Sequence, residues 1–189
     1  MKRRTAIFGL AGIMLPAFVA RALAQAAAIA GSAPATDVLS IANNQKFLAD
    51  NAKQKGVNVR PSGLQFRIIQ NGYGKRPQST DSVKVYYTGK LINGVIFDGT
   101  SPGLPATMKL NNVIPGWIEA LQLMREGDHW QLVIPPNLGY GVRGAGDGMI
   151  PPNQDLIFDI KLIETTPAPK RGEKGYEPDP GDKDDQDQQ

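Results

Sequence analysis

Val113-Ile114-Pro115-Gly116-Trp117-Ile118-Glu119-Ala120-Leu121-Gln122-Leu123-Met124 decides the fold. Pro115 stands where a proline is tolerated, at the first position of a helix. Behind it Trp117, Ala120, Leu121 and Met124 recur at i, i+3, i+4 and i+7, which makes one apolar face, and Gly127 ends the run. On both sides the period drops to two. Leu64, Phe66 and Ile68 alternate with Gln65, Arg67 and Ile69, and Val83, Val85 and Tyr87 alternate with Lys84, Tyr86 and Thr88. Met108 and Leu110 read as a further short strand, Trp130, Leu132 and Ile134 alternate again, and Leu156, Phe158, Ile160 and Leu162 form the last strand. Asn93-Gly94 is a tight-turn signal between Leu91-Ile92 and Val95-Ile96-Phe97. Residues 62–165 thus carry about five strands and one short helix. One helix covers only one face of such a sheet, so the compact solution is an α+β fold, an antiparallel sheet curved around the helix.

Upstream, Arg60-Pro61-Ser62-Gly63 reads as a turn. Asp37 to Lys55 reads as one helix, capped by Thr36 or Asp37, with Val38, Ile41, Gln45, Leu48 and Ala52 as a partial apolar stripe and Gly56 as its stop. It belongs to an N-terminal extension, residues 25–61, whose alanine-rich first part, 25–36, is expected to be disordered. Residues 1–24 have the three parts of an export signal: Lys2-Arg3-Arg4, an uncharged stretch from Ala6 to Ala20, and Ala22-Leu23-Ala24 before a cleavage point at Gln25. Arg3-Arg4 fits a twin-arginine signal, and an ordinary secretory signal with two adjacent arginines is the other reading. An uncleaved anchor is the alternative to export, but the apolar stretch is short for a span of about 20 residues. At the other end, residues 166–189 form a proline-interrupted tail. From Lys170 to Gln189 four bases face seven acids, and this tail is expected to be disordered and acidic.

Composition removes several classes of function. Cysteine is absent, which excludes disulfides, thiolate metal sites, cysteine nucleophiles and a lipid anchor on cysteine. The formal charge of +3 comes from the first segment. Without Lys2, Arg3, Arg4 and Arg21, 17 bases face 18 acids, so nothing is left over to grip a nucleic acid backbone. One histidine, His129, makes a histidine triad or a multi-histidine zinc site improbable; beside Asp128 it reads as a surface residue. Gly139, Gly141, Gly144, Gly146 and Gly148 invite a phosphate-loop reading. It fails because Ile150-Pro151-Pro152 follows where a helix N-terminus would be needed. Asp98, Asp147, Asp155 and Asp159 lack the spacing of a calcium loop, and no serine lies in Gly-x-Ser-x-Gly. No metal and no cofactor is expected.

What remains is an apolar and aromatic set: Tyr86-Tyr87-Thr88-Gly89-Lys90, Phe97-Asp98, Val113-Ile114-Pro115-Gly116-Trp117, Leu138-Gly139-Tyr140-Gly141, Ile150-Pro151-Pro152-Asn153 and Leu156-Ile157-Phe158-Asp159, with Pro61-Ser62-Gly63-Leu64-Gln65 ahead of it. In this order and spacing the set closely resembles the FKBP-type peptidyl-prolyl cis-trans isomerases, and within them the exported bacterial branch with the macrophage infectivity potentiators. The resemblance runs from about Asn51 to Glu164. It implies a twisted antiparallel sheet wrapped on a short helix, with a pocket between them. By resemblance Trp117 is the pocket floor, Tyr87, Phe97, Val113, Ile114 and Phe158 are its walls, Asp98 is a carboxylate beside it, and Tyr140 reaches the substrate from a loop. Met149 and Ile150 would close the loop side. Tyr87, Asp98, Ile114, Trp117, Tyr140 and Phe158 are expected to carry catalysis, and Phe97, Met108, Val113, Met149 and Ile150 substrate binding.

The implied reaction is rotation about an X-Pro bond in unfolded or nascent exported polypeptides, without nucleophile or covalent intermediate. Proline would pack on Trp117, the Ile114 N–H would hold the chain after proline, and Tyr140 would orient the peptide. Two features depart from the family. Ala106 and Met108 stand where many members carry aromatics, and the loop Arg143–Gly148 lacks a bulky residue, which bears on binding of tacrolimus- or rapamycin-type macrolides. The single helix of the extension is short for the dimerising arm of the infectivity-potentiator branch, so a periplasmic monomer is expected. The competing function is a weakly active chaperone or binding module with the same fold; a third is an assembly factor docking through the acidic tail.

Overall fold

The computed structural model describes residues 38–170 and 172–175. The expected export signal, the alanine-rich stretch at 25–36 and most of the acidic tail lie outside the described residues. Helix α1 is Ile41–Asn51 and helix α2 is Pro115–Leu123. The strands are β1 Val57–Val59, β2 Gln65–Gln70, β3 Ser82–Leu91, β4 Ile96–Gly99, β5 Ala106–Lys109, β6 His129–Ile134 and β7 Leu156–Thr166. They form one antiparallel sheet in the order β1-β2-β6-β7-β3-β4. The free edge of β3 is shared: Ser82–Val85 pair with β5 and Thr88–Lys90 with β4.

The sheet therefore has seven strands where about five were expected. The difference lies in short edge strands. A three-residue strand such as β1 shows no period of its own; it exists because Val57–Val59 find Gln65–Arg67 across the turn at Arg60–Gly63. That turn closes through Gly63 N–H to the Arg60 carbonyl at 3.0 Å. Leu110, expected in a strand with Met108, instead starts a 3-10 turn, Leu110–Asn112, that leads into α2. At the Asn93-Gly94 turn, Leu91 N–H donates to the Val95 carbonyl at 2.9 Å, which sets the register of β3 against β4.

The core fills the concave side of the sheet. Trp117, Ala120, Leu121 and Met124, the face expected of α2, are all buried against Leu64, Val83, Val85, Leu132, Ile160 and Leu162. Each buried leucine, isoleucine, valine or methionine side chain among these stabilises the fold by about 1.5–3 kcal/mol relative to exposure. The helix approaches β6 closely: a Cβ on Gly116 would lie 2.6 Å from Ile134 Cγ2.

Helix α1 departs from expectation at both ends. Its cap is Ser40, whose Oγ accepts the Asn43 N–H at 3.3 Å, and it stops at Asn51 rather than at Lys55. The chain must turn over residues 52–56 to enter β1, with Gly56 at φ 83°. Its contact face also differs from the apolar stripe read in the sequence. Val38 and Ile41 are exposed, while Asn44 and Asn51 are buried. Asn44 Nδ2 donates to Gln154 Oε1 at 3.1 Å, and its Oδ1 accepts the Asp155 N–H at 2.8 Å. Asn51 Nδ2 donates to Gln65 Oε1 at 2.7 Å, and Gln65 Nε2 donates to the Leu48 carbonyl at 3.0 Å. Carboxamide pairs, each satisfying a buried polar group, fasten this helix to the domain.

Candidate functional site

Strand β3 brings Tyr87 to the mouth of the core, and β7 brings Phe158 opposite Gly89. Only glycine fits there: a Cβ on Gly89 would lie 2.7 Å from ring atoms of both Phe158 and Phe97. The vacant side-chain position lets Phe97, from β4, meet Phe158 edge to face at 5.5 Å between ring centres. Trp117, in the first turn of α2, stands edge-on to Tyr87 at 5.0 Å and to Phe158 at 5.2 Å. The four rings enclose a cavity of about 530 Å³ between helix and sheet. Asp98, Met108, Asn112, Val113, Ile114 and Tyr140 complete its lining.

The cavity is apolar with a polar rim. Tyr87 Oη donates to Asp98 Oδ2 at 2.7 Å, and the Gly99 N–H donates to Asp98 Oδ1 at 2.8 Å, so both carboxylate oxygens are fixed. Burial, followed by the hydrogen bond to Asp98 and by its charge, pushes the Tyr87 phenol far above its ordinary value. Burial and then the Asp98 charge also raise Tyr140. Both phenols therefore keep their protons and remain hydrogen-bond donors at neutral pH. Tyr140 is 38% exposed and occupies the bridge region, φ −99°, ψ 0°, at the start of the 3-10 turn Gly141–Arg143. Ile114 is the N-cap of α2; its carbonyl accepts from Trp117 N–H at 2.9 Å, while its own N–H donates to no group among the described residues. The Trp117 indole Nε1 is buried, also without a partner among the described residues.

Of the residues singled out in the sequence, Tyr87, Asp98, Ile114, Trp117, Tyr140, Phe158, Phe97, Met108 and Val113 share this one cavity. Met149 and Ile150 do not line it. The loop folds back on itself, with Ala145 and Ile150 exchanging backbone hydrogen bonds at 2.9 and 3.0 Å. This puts Ile150 into the core and leaves Met149 56% exposed. Asn112 lines the cavity and was not anticipated; its place directly before Val113-Ile114-Pro115 was the available signal. His129 lies away from the cavity, on β6, beside Asp159 of β7. Among the described residues no group of His, Cys, Asp or Glu is arranged to hold a metal.

A family model described as FKBP-type peptidyl-prolyl cis-trans isomerase matches residues 74–163, and one described as the domain amino terminal to it matches 18–68. A solved peptidyl-prolyl cis-trans isomerase from Pseudomonas syringae pv. tomato superposes with a TM-score of 0.63 at 36% identity, covering 72% of this chain and 98% of that one. The chain belongs to the FKBP family. Other FKBP relatives agree. FkpA from Escherichia coli superposes with a TM-score of 0.66 at 38% identity, over 81% of this chain and 70% of that one. The FKBP-type 22 kDa peptidyl-prolyl cis-trans isomerase of Escherichia coli is 53% identical over 124 residues, 65% of this chain and 60% of that protein. The outer membrane protein MIP of Legionella longbeachae is 48% identical over 128 residues, 67% of this chain and 54% of that protein. The matched part of this FKBP chain thus spans 60% and 54% of the lengths of these two relatives.

Proposed function

We propose that this chain accelerates cis-trans rotation of X-Pro bonds in proline-containing polypeptides. One observation carries the reading: Tyr87, Phe97, Trp117 and Phe158, from four different elements, converge on one cavity whose rim holds the Tyr87–Asp98 pair and the Tyr140 hydroxyl.

The chemistry asks for no nucleophile. The barrier of about 18–20 kcal/mol is the resonance lost as the C–N bond twists. A planar amide is more polar and better hydrated than a twisted one, so a dry aromatic cavity favours the twisted form. The proline ring sits against the Trp117 face. The Ile114 N–H, at the N-cap of α2, receives the carbonyl after proline, and Tyr140 Oη donates to the peptide from the loop side. The Tyr87–Asp98 pair keeps one rim of the cavity rigid. Each tenfold acceleration asks for about 1.4 kcal/mol of selective stabilisation of the twisted state.

In this reading residues 62–165 are the isomerase domain, 25–61 its extension and 166–189 a tail. Residues 1–24 export the chain to the periplasm, a view supported by the likeness to a protein named for the outer membrane. Among the described residues no helix is long and apolar enough to cross a membrane. The chain acts as a monomer, because α1 is only 11 residues long and its two buried asparagines are engaged by its own domain. Macrolides of the tacrolimus type enter the same cavity, with Met108 giving one wall. The test is turnover of an X-Pro tetrapeptide by the full chain and by Trp117→Ala and Tyr140→Phe. Acceleration that falls in both variants supports the reading. Absence of acceleration, together with suppressed aggregation of a proline-free client, would move the protein to the chaperone class.

A further inference from the structure

A second and larger cavity, about 700 Å³, lies on the opposite edge of the molecule and shares no residue with the first. Its floor is apolar. Phe66 of β2 stacks on Trp130 of β6 at 4.4 Å between ring centres and 9° between planes, with Ile68 and Leu123 beside them. Its rim is basic: Arg60, Arg76 and Arg125, all exposed. Arg60 is matched by Glu119, Nε to Oε1 3.3 Å. Neither Arg76 nor Arg125 has an ion-pair partner among the described residues. The one acid in the lining, Asp128, is buried and already engaged: Oδ1 accepts the Gly72 N–H and Oδ2 accepts the Arg125 backbone N–H. The groove therefore presents two uncompensated guanidinium groups above an aromatic floor, which suits a segment with an aromatic ring followed by carboxylates.

This chain carries such a segment. Tyr176-Glu177-Pro178-Asp179-Pro180-Gly181-Asp182-Lys183-Asp184-Asp185-Gln186-Asp187 has one aromatic residue, six acids and one base. The last strand also delivers the chain to the rim of the groove. Glu126, next to Arg125, accepts the Thr165 N–H through Oε1 at 2.7 Å and the Lys75 N–H through Oε2 at 3.2 Å, while Arg125 Nη1 donates to the Gly74 carbonyl at 3.3 Å. Ala168 N–H then donates to Asp81 Oδ1 at 3.2 Å, and Asp81 Oδ2 accepts from Gln78, two residues beyond Arg76. From Thr166 to Glu177 there are 11 residues, a reach of up to about 35 Å. Reach alone does not choose a place on so small a domain; charge and the aromatic floor do.

We propose that the groove is the docking site of the chain's own acidic tail, with Tyr176 against Ile68 and the Phe66–Trp130 stack and Glu177 and Asp179 at Arg76 and Arg125. A tethered segment sits at an effective concentration of about millimolar, so contacts too weak to hold a free peptide suffice here. The bond is electrostatic at an exposed rim and weakens with salt.

The absence of cysteine permits a clean test. The full chain bearing Gly181→Cys takes a nitroxide label, and paramagnetic broadening of amide signals is read by nuclear magnetic resonance. The expected result at low salt is at least about a twofold loss of intensity at Ile68, Gly72 and Arg125, relieved near 0.5 M salt, where screening acts within a few ångströms. Arg76→Glu with Arg125→Glu removes the broadening, and adding Glu177→Lys and Asp179→Lys to that pair restores it, which shows that the domain is intact. Undiminished signals would overturn the proposal in favour of an acidic segment of another protein. Broadening that survives the arginine changes would overturn it as well. Broadening of an unlabelled, isotope-enriched chain mixed with a labelled one would assign the groove to the tail of a second copy and sink the intramolecular form.

Discussion

Asp155 is completely buried, and neither of its carboxylate oxygens has a hydrogen-bond partner among the described residues. Burial pushes its carboxyl from an ordinary 3.8 up to about 7. The groups around it are neutral: Asn44 of α1 accepts its backbone N–H, and the Gln154 carboxamide is taken by Asn44, Leu39 and Pro152. Below about pH 4 the group is protonated in both folded and unfolded chains and adds no pH dependence. Between about pH 4 and 7 the unfolded chain ionises while the folded one holds its proton, so this group removes about 1.4 kcal/mol of stability per pH unit. Above about pH 7 the loss levels off near 4 kcal/mol. Asp155→Asn stays neutral throughout. Its extra donor, left without a partner, adds a constant penalty of about 1–3 kcal/mol, so the readout is the slope against pH and not the offset. Urea denaturation of both proteins at several pH values from 4.5 to 8 gives the difference in unfolding free energy. That difference is expected to move in favour of the asparagine variant by several kcal/mol as pH rises. A difference that stays flat across this range would refute a buried, proton-holding Asp155.

The site makes further predictions. Gly89→Ala drives a methyl group into the Phe97 and Phe158 rings; denaturation should show a loss of about 1–3 kcal/mol, with turnover lowered in the same variant. Asp98→Asn removes the charge and the carboxylate acceptor that help to raise the Tyr87 phenol. Alkaline titration of tyrosine absorbance should find Tyr87, which loses both the hydrogen bond and the charge, and to a lesser extent Tyr140, which loses only the charge, ionising at lower pH than in the parent, and an unchanged titration would contradict the observed Tyr87–Asp98 bond. Tyr140→Phe deletes one donor worth about 0.5–1.5 kcal/mol, so proline-peptide turnover should fall by up to about tenfold with the denaturation midpoint little changed. Asn44→Ala strips partners from Gln154 and from the Asp155 N–H and should destabilise the docking of α1. Hydrogen exchange at Gln45–Asn51 would report this as faster exchange than in the parent.

The parts of the fold that could be read from the sequence are those whose burial pattern is local. The i, i+3, i+4, i+7 face behind Pro115 and the alternation in β2, β3, β6 and β7 each need only one element and one core to make sense. Edge strands carry no such record. Val57–Val59 are partly or wholly exposed, and what makes them a strand is a pairing partner that lies beyond the next turn, Gln65–Arg67. Helix α1 misleads for a related reason. Its apolar residues suggest the buried face, yet Asn44 and Asn51 are the residues that go inside. Their burial is tolerable only because partners meet them in space: Gln154 and Asp155, 110 and 111 residues on, for Asn44, and Gln65, 14 residues on, for Asn51. The site divides along the same line. Tyr87, Phe97, Trp117 and Phe158 sit on strands and a helix whose register follows from the core, so their convergence follows from the fold. Met149 and Ile150 sit on a loop whose direction is set by left-handed backbone at Gly144, Gly146, Asp147 and Gly148. A glycine tells that such a turn is allowed and does not tell which way it runs. Here it runs back to Ala145, and the side chain expected at the cavity wall becomes part of the core instead.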